Sequence, residues 1–168
     1  MRINKFIAQS GYCSRRQADR LIEEGKVLIN GQMAGLGDQV NPKDRVEVEG
    51  KLISGRTPKP VYLAFNKPRG IISSTTDRQG QDVVSYINYP ERIYPVGRLD
   101  KDTEGLLLLT NDGDLAHEIT KTENANEKEY YVVVNKAYDD AFIKAMPEGV
   151  RILGRKTLPA QFKPVDKR

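Results

Sequence analysis

Apolar positions along the chain change period several times, and each change marks an element. Ile3, Phe6 and Ile7 share one helical face, which Gly11 can end in a left-handed turn. Ser14, followed three residues later by Gln17, offers a capping box. Ala18, Leu21 and Ile22 then form a second stripe that stops at Gly25. Val27-Leu28-Ile29 predicts a short strand, Asn30-Gly31 a hairpin turn, and residues 35–42 a turn region. Val46 and Val48 alternate with Arg45, Glu47 and Glu49 as a half-exposed strand. Residues 1–55 thus predict two helices and a small sheet. Residues 56–60, with Pro58 and Pro60, read as a linker.

From residue 61 onward the pattern is strand-rich. Val61 to Asn66 predicts a strand, Lys67-Pro68-Arg69-Gly70 a turn, and Ile71 to Thr75 a second strand completing a hairpin. A polar loop, residues 76–82, follows. Four leucines, Leu106 to Leu109, stand between Gly105 and Asn111-Asp112-Gly113, the pattern of a strand buried on both faces. Asp112 or Asp114 can cap a helix through Ile119, with Leu115 and Ile119 inward. Tyr130 to Val134 predicts a β-branched and aromatic strand with Tyr130 and Tyr131 on opposite faces. Phe142, Ala145 and Met146 mark a helix ended by Pro147 and Gly149. The expectation is an α+β chain, with a mixed sheet across residues 61–168 behind the N-terminal module.

Charge changes this picture. The net charge of +4 is unevenly spread: +1 over residues 1–50, +4 over 51–94, −5 over 95–127 and +4 over 128–168. A polyanion would be held by the flanks, not by the acidic stretch. Within the N-terminal module, Arg15, Arg16 and Arg20 cluster on the second helix, with Lys5 before them and Lys26 after. Arg16 and Arg20 are four apart and share a face. Only one cysteine, Cys13, and one histidine, His117, are present. A disulfide framework, a Cys-rich zinc site and a Ser-His-Asp triad are therefore unexpected. The longest aliphatic run, Leu106 to Leu109, is four residues and no basic-then-apolar leader precedes Gly11. The expectation is a cytoplasmic chain with no membrane partner, metal or cofactor.

The acidic stretch holds the candidate chemistry. Gly97-Arg98-Leu99-Asp100-Lys101-Asp102-Thr103-Glu104-Gly105 packs three carboxylates and two cations directly in front of the leucine strand. Gly97-Arg98-Leu99-Asp100, with Thr103, Gly105 and the Leu-Leu-Leu-Thr-Asn-Asp-Gly tail, resembles the active-site signature of bacterial ribosomal RNA pseudouridine synthases. The branch is the RsuA/RluB/RluF one, with an S4-type RNA-binding domain in front. Ser14-Arg15-Arg16, Gly25-Lys26-Val27 and Val27-Leu28-Ile29-Asn30-Gly31 carry the S4 likeness. The resemblance implies Asp100 as the catalytic residue and Tyr130, in Lys128-Glu129-Tyr130, as the group stacking on uracil. It implies Arg15, Arg16 and Lys26 as phosphate contacts and Asn30 as a turn residue. The Asn-Lys-Pro-x-Gly motif lies near the active site in that family, so Lys67 and Arg69 are candidates to steer phosphates. Residues 127–130 and 150–154 look closest to RluF-like members, which act on large-subunit ribosomal RNA.

The chemistry that the resemblance implies is the isomerisation of uridine to pseudouridine, which breaks C1′–N1 and joins C1′ to C5. It calls for one ionised carboxylate beside the glycosidic bond and for a base flipped out of its stack. Arg98 could keep Asp100 charged, contact phosphate, or fill the vacated stack. By proximity alone Asp102 and Glu104 rival Asp100. Two carboxylates flanking a bond would also suit a glycoside hydrolase, and an S4 module with an inactive remainder would only bind RNA. Members of the resembled family continue for several dozen residues and include an Arg-rich motif. The chain is therefore expected to be a fragment, silent alone and prone to self-association, of an enzyme that is monomeric at full length.

Overall fold

A computed structural model describes residues 1–55, 58–75, 81–121 and 127–165. The chain divides into two units, Met1–Asn126 and Glu127–Arg168, each described by itself.

In the first unit, helix α1 (Ile3–Gln9) packs against helix α2 (Arg15–Glu23). The Ser14 side chain caps α2 by accepting from the Gln17 amide at 3.1 Å, half of the expected capping box. Strands β1 (Val27–Ile29), β2 (Gln32–Met33), β3 (Val46–Val48) and β4 (Lys51–Ile53) form an antiparallel sheet in the order β2-β1-β3-β4. Its two hairpins turn at Asn30-Gly31 and Glu49-Gly50, with φ of 52° and 82°, then 50° and 76°. Both central residues of each turn are left-handed, as the right-handed strand twist requires. Asn30 donates to Asp44 at 3.0 Å and accepts from the Arg45 amide at 2.9 Å, so it is a turn residue. Ile3, Ile7, Ala18, Leu21, Ile22, Val27, Val46 and Val48 are buried together between helices and sheet.

A second antiparallel sheet follows, built from β5 (Tyr62–Lys67), β6 (Tyr94–Val96) and β7 (Gly105–Thr110) in the order β5-β7-β6. Helix α3 (Val83–Ile87) is capped by buried Asp82, and helix α4 (Gly113–Thr120) by Asp112. The α+β expectation stands, but four details differ. Every paired strand here is antiparallel, and Ile72 meets Asp82 in parallel as an isolated bridge. Residues 61–75 do not form the expected hairpin: β5 pairs with β7, while Ile72 and Ser73 bond to Gln81, Val83 and Leu99. Strand β7 is central but covered on one face only. Leu107 and Leu109 are buried, whereas Leu106 is 68% and Leu108 43% exposed. A run of leucines cannot itself reveal how many layers cover it. On α4 the inward residue is Ala116, and Ile119 is exposed.

The second unit holds helix α5 (Asp140–Ala145), a 3-10 turn over Met146–Glu148, and the hairpin β8 (Arg151–Ile152) with β9 (Arg155–Lys156). Asp139 caps α5 through the Phe142 amide. Tyr130 to Val134 is not a strand: it joins no ladder, and its side chains are exposed. High β-propensity needs a neighbouring strand to satisfy the backbone, and this segment has none among the described residues. The expected alternation of Tyr130 and Tyr131 lapses with the strand. Part of the expected linker (56–57), most of the polar loop (76–80) and the final residues lie outside the described residues. No described helix is long and apolar enough to cross a membrane.

Candidate active site

The loop joining β6 to β7 carries the three clustered carboxylates, and glycines open and close it. Gly97 has φ +80° and Gly105 +143°, values that L side chains rarely adopt. Between them Leu99 packs against the core of the second sheet, and its neighbours Arg98 and Asp100 are exposed. One apolar anchor thus fixes the loop while presenting two charged side chains outward.

Backbone bonds fix it on either side of Asp100. The Ser73 hydroxyl donates to the Leu99 carbonyl at 2.7 Å and accepts from the Leu99 amide at 3.1 Å. On the other side, the Lys101 carbonyl accepts from the Gly70 amide at 2.8 Å and from Lys67 Nζ at 3.1 Å. The Asp100 carbonyl accepts from the Thr103 amide at 3.1 Å. The Asp100 carboxylate makes no hydrogen bond or ion pair among the described residues. Backbone held, side chain free: a carboxylate positioned this way can meet a ligand with little reorganisation.

Lys67 corrects one expectation. It is completely buried, and its ammonium donates to the carbonyls of Pro68 (3.0 Å), Ile71 (2.8 Å) and Lys101. A buried ammonium without three acceptors would be costly; here all three donors are used. Lys67 therefore staples the β5 turn to the Asp100 loop and is not available to steer phosphates. Ser73 was not foreseen as a site residue. A serine inside the apolar stretch Ile71-Ile72-Ser73 was the available signal, since a buried hydroxyl needs partners.

Arg98 forms no ion pair with Asp100 among the described residues, so the expected charge partnership is absent. Arg69 lies 3.6 Å (Nε) from Glu104 Oε2, with both side chains exposed. Of the rival acids, Glu104 thus has a cation partner, and Asp102 is exposed on a turn. Tyr130 belongs to the second unit, outside any element and 77% exposed.

The expected RNA contacts also sort themselves. Arg15, Arg16 and Arg20 are exposed on α2 and free of ion pairs among the described residues. Lys26 is paired with Glu24 at 2.7 Å and lies 3.8 Å from Glu49; the hydrogen bond to Glu24 raises its pKa. Lys5 pairs with Asp114 at 2.8 Å, and Gln9 joins the same carboxylate at 3.4 Å. Of the cations expected to contact RNA in this module, the three arginines are therefore the ones without an ion pair among the described residues. Among the described residues no three His, Cys, Asp or Glu side chains cluster as a metal site.

Two family models match the chain, that of the S4 domain over residues 1–46 and that of RNA pseudouridylate synthase over 61–163. The dual-specificity RNA pseudouridine synthase RluF of Shigella flexneri is 49% identical over 164 residues, 97% of this chain and 57% of that protein. Ribosomal large subunit pseudouridine synthase B of Bacillus subtilis is 42% identical over 165 residues, 96% of this chain and 67% of that protein. A solved structure titled as a pseudouridylate synthase superposes with TM-score 0.60 at 31% identity, covering 99% of this chain and 73% of its own. The chain spans 57% of the length of the RluF relative.

Proposed function

Because the chain belongs to the RNA pseudouridylate synthase family, in its RsuA/RluB/RluF branch with an S4 domain in front, we propose that it serves the isomerisation of uridine to pseudouridine in ribosomal RNA. The observation that carries this reading is the free Asp100 carboxylate between two pinned backbone positions. In the reaction the C1′–N1 bond breaks and C1′–C5 forms, so substrate and product have the same atoms. Asp100 acts at the sugar or base as nucleophile or proton acceptor; once C1′–C5 has formed, C5 gives up its proton and the freed N1 takes one up. Arg98 contacts the phosphate or fills the stack that the flipped base vacates, and Tyr130 stacks on the uracil.

The proposed organisation is an RNA-binding module at residues 1–55, a linker at 56–60 and catalytic sequence from 61 onward. Arg15, Arg16 and Arg20 supply the sequence-independent hold on the RNA backbone, with Lys5, Lys26 and Arg69 contributing where phosphate displaces their carboxylate partners. The substrate is large-subunit ribosomal RNA, in line with the name of the Bacillus subtilis relative, and the setting is the cytoplasm. A second reading is an RNA-binding chain without turnover, favoured by the exposed Tyr130 to Val134 segment.

The test is to incubate the chain with ribosomal RNA, alone and with the remaining length of a longer relative. Digested nucleosides are then scored for the C-glycoside. Pseudouridine in either arm supports the reaction. Salt-dependent binding without it in both arms leaves the second reading. Absence of binding and product defeats both.

A further inference from the structure

The β8–β9 hairpin of the second unit has no part in the site described above. Its turn is two residues, Leu153-Gly154, both left-handed at φ 49° and 78°. Turns of this type favour Asn, Asp or Gly at the first position, and a branched apolar residue is strained there. Leu153 sits there nonetheless, wholly exposed, beside Ile152 at 56%. A residue poorly suited to its conformation and buried against nothing points to a role outside the fold.

Its surroundings indicate the partner. From Gly149 to Lys163 the sequence has four cations and no acid. Arg151 lies opposite Lys156, and Arg155 opposite Ile152, all exposed. None of the three is engaged in an ion pair among the described residues. The base is firm. The Thr157 amide donates to the Val150 carbonyl at 2.9 Å, and the Val150 amide to Thr157 Oγ1 at 3.0 Å. A Cβ at Gly149 would lie 2.5 Å from the Thr157 carbonyl oxygen, so the chain closes tightly there. Phe142 meets Phe162 edge-on at 6.0 Å and Tyr138 at 6.0 Å, tying α5 to the strand side.

We infer that this hairpin is a wedge for structured RNA: Leu153 enters between bases while Arg151, Arg155 and Lys156 hold the flanking phosphates. An apolar tip ringed by unpaired cations suits a polyanion with stacked apolar faces better than a protein surface, which would supply acids of its own. The inference rests on the RNA-directed reading above.

The experiment titrates the whole chain with a uridine-containing RNA stem-loop carrying 2-aminopurine, across a salt series. Leu153→Asn gives an Asn-Gly turn, which fits the left-handed backbone and keeps the hairpin folded. It is expected to weaken binding about tenfold and to remove the fluorescence rise of unstacking at saturation, with the salt slope unchanged. Arg151, Arg155 and Lys156 changed together to Ala are expected to flatten the slope by about two units. Wild-type-like affinity and fluorescence for Leu153→Asn would overturn the wedge even if the slope flattens. Loss of self-association or protein binding with RNA affinity intact would reassign the hairpin to a protein partner. A wild-type chain that binds no RNA would instead defeat the RNA reading itself.

Discussion

The two sheets of the first unit solve the same problem differently. In the N-terminal sheet, neighbours along the chain are mostly neighbours in space: β1 with β2 and β3 with β4 are joined by two-residue turns, and Val46 and Val48 face two helices. In the second sheet, Tyr62 meets Thr110 and Lys67 meets Gly105, and the face bearing Leu106, Leu108 and Tyr62 is open. Local pairing makes a module with its own buried core that presents a charged helix. Distant pairing gathers Ser73, Gly70 and Lys67 around residues 99–101, which no local hairpin could do. On the proposed function, affinity belongs to the locally folded part and chemistry to the part assembled from distant segments.

Four changes test that division. Asp100→Asn keeps shape and removes charge; isomerisation is expected to fall by several orders of magnitude while RNA affinity holds. Turnover within tenfold of wild type would transfer the role to Asp102 or Glu104. Lys67→Met removes a donor from the Pro68, Ile71 and Lys101 carbonyls, of which Lys101 keeps the Gly70 amide, and chemical denaturation is expected to show a loss of about 3 kcal/mol. If the division is real, that loss appears in the second sheet, and amide protection in α1 and α2 is retained. Replacing Arg15 and Arg16 by Ala is expected to flatten the slope of log affinity against log salt by about one unit or more, with isomerisation at saturating RNA unaffected. An unchanged slope would assign the arginines to folding or to another partner.

The smallest effect concerns pH. The Asn30 amide, followed by the Asn41 backbone N–H, holds the Asp44 carboxyl below its ordinary value. A depressed folded-state pKa gives stability that is present above the unfolded value and lost as pH falls through the folded one. Acid titration of the N-terminal module, followed by circular dichroism, should therefore show a shallower decline for Asp44→Asn than for wild type. Identical profiles would mean that Asp44 contributes nothing to the acid limb.

Much of this was legible in the sequence because it is local. Ser14, Asn30-Gly31 and Asp112 announce their caps and turns in a few residues. The signature around Asp100 was readable for the same reason. What was not legible depends on distant partners. Leu106 and Leu108 have the composition of core residues and sit on an uncovered face. Lys67 looks like a surface cation and is buried, because its acceptors come from Pro68, Ile71 and Lys101 together. Tyr130 to Val134 has strand composition without a strand beside it.

The backbone around Asp100 is held by the core, while its carboxylate has no partner among the described residues. Amide hydrogen exchange on the wild-type chain tests it at Leu99, Gly70 and Thr103, whose N–H groups bond to Ser73 Oγ, the Lys101 carbonyl and the Asp100 carbonyl. These amides are expected to be protected nearly as well as those of Leu107 and Leu109 in β7, and Ser73→Ala to release Leu99 first. Exchange at Leu99, Gly70 and Thr103 as fast as in an unstructured peptide, with β7 still protected, would contradict it.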